Sequence, residues 1–389
     1  MKKIAFIHES LVTGGAEKSL INLLHYIDYE KYDVTLWLRD DQGELLPQVD
    51  SRVKIRFWKE YLEQDYKQLL QRLLKKGCVF SAMISSVCRL LSKSYLQNWH
   101  LNYKFFIRSL LPADQTCYDV AISYHSLIRD DIMFLSYAIK AKKKIGWIHG
   151  KCRHDQDDPY FEPFSREYPK LDHIFCVSND SRKLFLEKYP MLSEKTSVMY
   201  NLQNFDEIMT LANEKVEESF AQLTLVTVGR LAPEKGQDMI PAIAEKLRSR
   251  GHRFVWYLVG DGPIRTSLEQ EIVRRDMGDT VFLLGQKMNP YPYIKNCSLY
   301  VQPSYSEGFC VTTFEAKILC KSVVVTNVSG MSEQFSHDEA VFCDPEVESL
   351  TDGIERAICK LESNDYCLRS VSADFNQREI EKLYAVIEE

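Results

Sequence analysis

Pro303-Ser304-Tyr305-Ser306-Glu307-Gly308-Phe309-Cys310-Val311-Thr312-Thr313-Phe314-Glu315-Ala316 is the stretch on which the fold turns. It follows the apolar run Leu299-Tyr-Val-Gln302 and reads as a strand end, a glycine turn and a helix start. The first amides of such a helix have no intrahelical partner and stand at the positive end of its dipole, so they suit a diphosphate. Glu307 lies before the turn and Glu315 about one turn into the helix, which places two carboxylates beside that phosphate position. Each can accept hydrogen bonds from vicinal hydroxyls, one pair from a sugar ring and one from a ribose.

Two glutamates repel a phosphate unless cations compensate. Val228-Gly229-Arg230-Leu-Ala-Pro-Glu-Lys235-Gly236 supplies them, again directly after a strand-like run, Leu223 to Val228. Arg230 can bridge two phosphate oxygens and Lys235 acts as a point charge. Together they would neutralise a departing nucleoside diphosphate as a glycosidic bond breaks, without a metal.

The surrounding pattern is β/α. Lys3 to Ile7 reads as a buried strand, Thr13-Gly14-Gly15 as a loop, and Ala16, Leu20, Leu23 and Leu24 as a helix stripe before the strand Tyr32 to Leu38. Further short apolar runs at Tyr118 to Ser123, Lys144 to His149 and His173 to Ser178 each end in a polar or small residue, where an α/β sheet presents its chemistry. A polar acidic stretch, 201–219, separates these from a second series at Leu223 to Val228, Arg253 to Val259, Val281 to Leu284, Leu299 to Gln302 and Ser322 to Thr326. Continuous apolar strands of this kind suit parallel sheets covered on both faces. Two consecutive layers imply a cleft between them.

A length of 389 residues is too great for one ordinary core. Eleven scattered cysteines without a C-x-x-C pair fit neither a disulfide framework nor a zinc ribbon, and we read them as reduced thiols of a cytoplasmic protein. The run Ile4 to Ile7 is too short for a signal-peptide core, and no stretch has the apolar length of a membrane helix. The net charge of −6 hides an asymmetry, because residues 51–110 hold 12 Lys or Arg against 3 acids. With Trp58, Tyr61, Tyr95, Trp99, Phe105 and Phe106 among those cations, the segment reads as packed helices or as an in-plane contact with anionic lipid, in preference to nucleic acid.

Gly14-Gly15, Gly229-Arg230 with Lys235-Gly236, Gly260-Asp261-Gly262-Pro263 and the Glu307 to Glu315 spacing, in this order, resemble the retaining glycosyltransferases of the GT-B fold, family 4 or glycosyl transferases group 1. The resemblance spans nearly the whole chain, though residues 50–115 match none of its motifs. It implies an α/β fold of two Rossmann-like domains facing across a cleft. Residues 1–200 would form the acceptor-binding domain, with a basic helical insertion at about 51–110. A linker at 201–219 would lead to a nucleotide-sugar-binding domain at 220–372 and a crossover helix at 373–389.

It also implies roles. Glu315 would bind the donor ribose, Glu307 a hydroxyl of the transferred sugar, and Arg230 and Lys235 the diphosphate. Gly308, Phe309, Cys310 and Val311 would line the donor through the helix start. Gly14 and Gly15 would let the backbone approach a phosphate or the acceptor, since a side chain there would block it. His149, ending Trp147-Ile-His149-Gly150, would face the anomeric centre. Asn289-Pro290-Tyr291 and Gly285 would edge the base pocket. The expected donor is a UDP-sugar before a GDP-sugar, and the expected acceptor a lipid-linked saccharide of a surface polysaccharide, on the inner face of the cell membrane. No cofactor or metal is expected.

Simpler readings exist for each residue alone: helix-start acids for Glu307 and Glu315, a surface turn for Arg230 to Gly236, and a hydrogen-bonded structural group for His149. The motifs in register favour the functional reading. Asp155-Gln-Asp157 follows a polar loop and lacks the layout of a metal-binding Asp-x-Asp, and His149, Cys152 and His154 lack a fourth zinc ligand. A nucleotide-sugar 2-epimerase of the same architecture and a non-catalytic sugar-nucleotide-binding protein are the rivals. A dinucleotide-dependent oxidoreductase is disfavoured because no Gly-x-Gly-x-x-Gly follows the first strand.

Overall fold

The computed structural model describes residues 1–59, 116–150, 166–220, 222–363 and 370–389 together with Gln71, Leu74 and Val79, and among these described residues thirteen short runs, most of them apolar, become strands. The described chain divides into two compact units. One comprises Met1–Val177, Ser181–Tyr200 and Glu379–Glu389, the other Ser178–Asp180 and Asn201–Arg378.

In the first unit, β1 (Lys2–His8), β2 (Tyr32–Leu38), β3 (Lys54–Phe57), β4 (Cys117–Ser123), β5 (Lys140–Ile148), β6 (His173–Cys176) and β7 (Thr196–Val198) form one sheet in the order β3-β2-β1-β4-β5-β6-β7. Every pairing is parallel. Helices α1 (Gly15–Tyr26), α2 (Arg129–Ala138) and α3 (Asn179–Lys188) cross between strands, α3 starting in residues that group with the second unit. The strand order reverses between β1 and β4, which is where loops part and leave a crevice above the sheet.

The second unit repeats the plan. Its strands β8 (Thr224–Val228), β9 (Val255–Val259), β10 (Val281–Gly285), β11 (Leu299–Gln302), β12 (Val323–Thr326) and β13 (Ala340–Cys343) pair in parallel in the order β10-β9-β8-β11-β12-β13. Alternate strand residues build two cores on opposite faces: Leu225, Trp256, Leu299, Val301 and Val324 on one, Val226, Tyr257, Tyr300, Val323 and Val325 on the other. Helix α4 (Phe205–Leu211), capped by Asn204, lies in the stretch 201–219 and buries Ile208 and Ala212 in the second of those cores. Further helices are α5 (Ile240–Ser249), α6 (Arg265–Arg274), α7 (Tyr291–Asn296), α8 (Val311–Ile318), α9 (Met331–Gln334) and α10 (Val347–Glu362).

The last helix, α11 (Phe375–Glu388), passes from the second unit to the first at Glu379. Within the first unit its carbonyl end receives two cations: Lys2 donates to the Ile387 carbonyl at 3.1 Å and Lys143 to that of Val386 at 2.7 Å. Lysines there complement the negative end of the helix dipole.

Two expectations change. The start of the expected helical insertion is instead strand β3, whose four residues Lys54 to Phe57 are all exposed along the edge of the sheet. Trp58, read as one of the lipid-facing aromatics, is fully buried: it packs in the core of the first unit and stacks on Phe134 at 5.1 Å, which leaves no ring face for a bilayer. The remaining residues of that segment, including Tyr61, Tyr95, Trp99, Phe105 and Phe106, lie outside the described residues, as do Cys152, His154, Asp155 and Asp157. Among the described residues no helix is long and apolar enough to cross a membrane.

Candidate active site

β8 and β11 are neighbours, and the strand order of the second sheet reverses between them. The loops that follow them, 229–236 and 303–310, therefore leave the sheet side by side. Their contact is backbone to backbone: Gly236 holds φ +67°, and a Cβ there would lie 2.0 Å from the Pro303 carbonyl oxygen. The loop after β9 locks on in the same way, since a Cβ on Gly260 (φ +148°) would meet the Gly229 carbonyl at 1.9 Å. Only glycine serves at either position. Leu231 then donates to the Asp261 carbonyl at 2.9 Å, so the turn Gly260 to Pro263 braces the loop that carries the cations.

That packing delivers Lys235 onto Glu307. The ammonium donates to both carboxylate oxygens at 2.8 Å. Glu307 is 6% exposed and the Lys235 side chain 24%, so the pair is largely withdrawn from water. Burial alone would lower the Lys235 pKa, but the Glu307 charge overrides it and holds the ammonium above its ordinary range. Ser304 donates a further bond of 2.6 Å to Glu307 Oε1.

Arg230 points elsewhere. Its side chain is 65% exposed and donates to Glu234 at 2.6 Å, one helical turn along the same loop. An exposed pair of this kind is held weakly. Its guanidinium can exchange Glu234 for an incoming anion.

Helix α8 begins at Val311, and no side chain caps its N-terminus at Cys310. Phe309, Cys310 and Val311 are buried, which leaves only the main chain of this turn, with Gly308, to meet a ligand. Glu315, on the first turns of α8, is fully buried. Tyr291, the first residue of α7, approaches its Oε1 at 3.4 Å, and burial together with the Glu315 charge raises the Tyr291 pKa, keeping that hydroxyl a donor. Asn289 binds the Leu211 carbonyl and Glu214, holding the Asn289 to Tyr291 loop against the end of α4.

In the first unit the residues after β1, β4 and β5 also converge. His8 ends β1 and is fully buried, 3.3 Å from Glu17 on α1 and 3.6 Å from the buried Asp131 on α2. Burial would depress the His8 imidazole, but the two carboxylates carry it up to about 9. Burial raises Asp131 to about 6 even with His8 beside it. His149 follows β5, 4.6 Å from the Tyr124 ring and 5.5 Å from the His125 ring. Desolvation, then the neighbouring His125 and His8, hold its pKa well below 6.5, so it is a neutral imidazole at pH 7. Gly14 is extended (φ −159°) and Gly15 opens α1 with no side-chain cap, leaving that helix start bare apart from Glu17 in its first turn.

The structure thus brings Lys235, Glu307, Gly308 and the start of α8 together in the second unit, and places Glu315 on that same helix. Tyr291, read in sequence only at the edge of a base pocket, stands beside Glu315, and Ser304, His8, Glu17, His125 and Asp131 were given no role there. The one sequence signal for the histidines is position: His8, His125 and His149 each stand just after an apolar run.

Residues 212–368 match the family model of the glycosyl transferases group 1. The matched stretch lies within the second unit. The chain is 28% identical over 194 residues to one of the subunits of the human phosphatidylinositol N-acetylglucosaminyltransferase, covering 49% of this chain and 39% of that protein. It is 26% identical over 213 residues to the 2-deoxystreptamine N-acetyl-D-glucosaminyltransferase of Niallia circulans, covering 52% and 53%. An uncharacterised glycosyltransferase of Methanocaldococcus jannaschii is 25% identical over 165 residues, 41% of either chain. The alignments thus span about half or less of these curated relatives. Among solved structures, Anabaena HepE in complex with UDP and glucose superposes with a TM-score of 0.67 at 18% identity, covering 99% of this chain and 100% of that one. S. aureus TarM, in a complex containing UDP, gives 0.70 at 14% identity over the full length of both. At these identities the likeness is one of fold, and that fold is GT-B.

Proposed function

We propose that this chain is a retaining, metal-independent glycosyltransferase that moves a hexose from a UDP-sugar to a lipid-linked saccharide acceptor. The observation that carries the reading is the Lys235–Glu307 pair at the reversal point of the second sheet, beside the uncapped start of α8. The α8 amides and the two cations match a diphosphate, and Glu307 and Glu315 match hydroxyls on either side of it.

In this reading the diphosphate draws Lys235 off Glu307 and Arg230 off Glu234. The charge that develops on the leaving oxygen then meets cations already in place. Glu307 turns to a hydroxyl of the transferred sugar and Glu315 to the ribose. His149, neutral at pH 7, serves as an uncharged hydrogen-bonding group toward the transferred sugar. The acceptor enters on the face from which the phosphate departs, and the departing phosphate oxygen takes its proton, so the anomeric configuration is kept. Arg230 and Lys235 supply the charge that a divalent cation would otherwise bring. UDP is favoured over GDP because the structural neighbours HepE and TarM were solved as UDP complexes. A lipid-borne acceptor fits the basic, aromatic composition of residues 51–110 and the phosphatidylinositol in the name of the human relative.

Purified protein incubated with UDP- and GDP-sugars, with and without EDTA, tests this. EDTA-resistant release of nucleotide diphosphate from one donor, lost in Glu307→Ala and Glu315→Ala, is the expected result. Release abolished by EDTA moves the chemistry to a metal, an epimerised donor with no release identifies an epimerase, and no binding of any nucleotide removes the enzyme reading.

A further inference from the structure

We propose that Ser304 is the positioning residue for Glu307, holding its carboxylate through Oε1 so that Oε2 is left for the sugar once Lys235 has moved to the diphosphate. This rests on the donor-site reading above and adds to it a residue and a division of labour between two oxygens.

The observation is a buried line of hydrogen bonds that ends on Glu307. The Tyr300 hydroxyl lies 3.0 Å from Gln302 Oε1, closer than the 3.3 Å to the Val228 carbonyl, and Thr312 approaches the same amide oxygen at 3.5 Å, which orients the amide so that Nε2 faces Ser304. Gln302 Nε2 donates to the Ser304 hydroxyl at 2.9 Å. A serine hydroxyl has one proton, and with its oxygen already accepting from Gln302 that proton goes to Glu307 Oε1, 2.6 Å away. The serine main chain is pinned as well, since Thr326 donates to the Ser304 carbonyl at 2.6 Å. Gln302 and Ser304 are at most 1% exposed, so no water competes for these bonds.

Lys235 binds both oxygens of Glu307, yet it is also the cation best placed to leave for a phosphate. Without a second donor, a carboxylate that lost Lys235 would swing or draw in water. Ser304 prevents that. Its neutral hydroxyl has nothing to gain from the diphosphate, so it stays on Oε1 throughout, and of the two oxygens that Lys235 releases only Oε2 is left without that second donor. The sugar hydroxyl therefore meets an acceptor already in its rotamer, which removes an ordering cost from the reacting complex.

The test compares Ser304→Ala, in the unmodified chain and in Glu307→Gln, by UDP calorimetry and by hydrolysis of UDP-N-acetylglucosamine and UDP-glucose. Gln302→Met, which removes the donor that orients Ser304 but keeps the volume, is the second variant. The expected result for Ser304→Ala is a UDP Kd within about twofold and a kcat about 10- to 100-fold lower, the effect of losing a hydrogen bond to a charged group. In the Glu307→Gln background the same change should cost under about threefold, and Gln302→Met should give a smaller loss of kcat than Ser304→Ala. Equal losses in both backgrounds, UDP affinity falling in step with kcat, or unfolding of both Ser304→Ala and Gln302→Met would each overturn the inference by assigning the line to stability. Failure of the unmodified chain to bind UDP or GDP would overturn the donor reading and this inference with it.

Discussion

The two sheets share one strand order, and both gather polar groups where that order reverses, but they gather different kinds. At the ends of β1, β4 and β5 of the first unit stand three histidines, and the two carboxylates near them, Glu17 and Asp131, are tied to one of them, His8. After β8 and β11 of the second unit stand an ammonium and a carboxylate that neutralise each other and remain partly open to solvent. Topology sets where a crevice forms, and the loop residues set what it answers to. In the first cluster burial and neighbouring charge shift the imidazoles in opposite directions, His8 up and His125 and His149 down. The second is built to respond to an anion that competes for Lys235.

Removing the cation should break that contrast most severely. Lys235→Ala takes a charge from the diphosphate and leaves the buried Glu307 charge to the Ser304 hydroxyl, and we expect donor hydrolysis to fall about 10²- to 10³-fold. Activity within tenfold of the unmodified chain would remove Lys235 from the site. Gly236→Ala attacks the same pair through the backbone. Its methyl group cannot share space with the Pro303 carbonyl, so thermal or urea unfolding should show a loss of about 2 kcal/mol or more, with activity reduced because Lys235 is the adjacent residue.

Acid should separate the two units. Burial, then the charge of His8, hold His125 down at about 4, so it is neutral in the fold while its unfolded counterpart titrates near 6.5. Its contribution is complete above pH 6.5 and is lost as pH falls toward 4, and His149 acts in the same sense. His8 runs the other way: raised to about 9, it stabilises fully below 6.5 and loses that effect as pH rises through 9. Asp131, raised to about 6, opposes the two neutral histidines on the acid side but is one group against two. Melting temperature should therefore fall between pH 6.5 and 4, and His125→Asn should flatten that fall. Identical slopes would dissociate His125 from the acid response.

The smallest effect is expected at Arg230. Its pair with Glu234 is exposed, so Arg230→Ala should move stability by no more than about 0.5 kcal/mol. UDP binding should nevertheless weaken about tenfold, the worth of one charge-assisted contact to phosphate. A large drop in melting temperature would show that Arg230 braces the loop instead of serving the ligand.

The strands legible in sequence were the buried ones. Tyr32 to Leu38 and Leu299 to Gln302 have the bounds read from their runs, because a parallel strand covered on both faces is apolar along most of its length. β3 escaped notice for the converse reason: Lys54-Ile-Arg-Phe57 is an exposed edge that carries two cations, so pattern alone assigns it to the basic segment. β13 is four residues long and has no flanking motif. Lys235, Glu307 and Glu315 were legible because glycines punctuate their loops at the ends of apolar runs. Ser304 was not, since a serine after proline carries no pattern that distinguishes a structural hydroxyl from a positioning one, and for Tyr291, read only at the edge of a base pocket, nothing local signalled the approach to Glu315.

From sequence alone followed two β/α layers, the ends of the strands as the place for chemistry, and the residue types that could do it, because periodicity and glycine punctuation are local properties of the chain. Which partner each charge takes was decided by tertiary structure. Lys235 and Glu307 are 72 positions apart and meet only because β8 and β11 are neighbours. Arg230, five positions from Lys235, turns to Glu234 and solvent. The same holds for His8, whose two carboxylates arrive on separate helices, since the pKa of a buried group is set by what lies within a few ångströms of it and not by its neighbours along the chain.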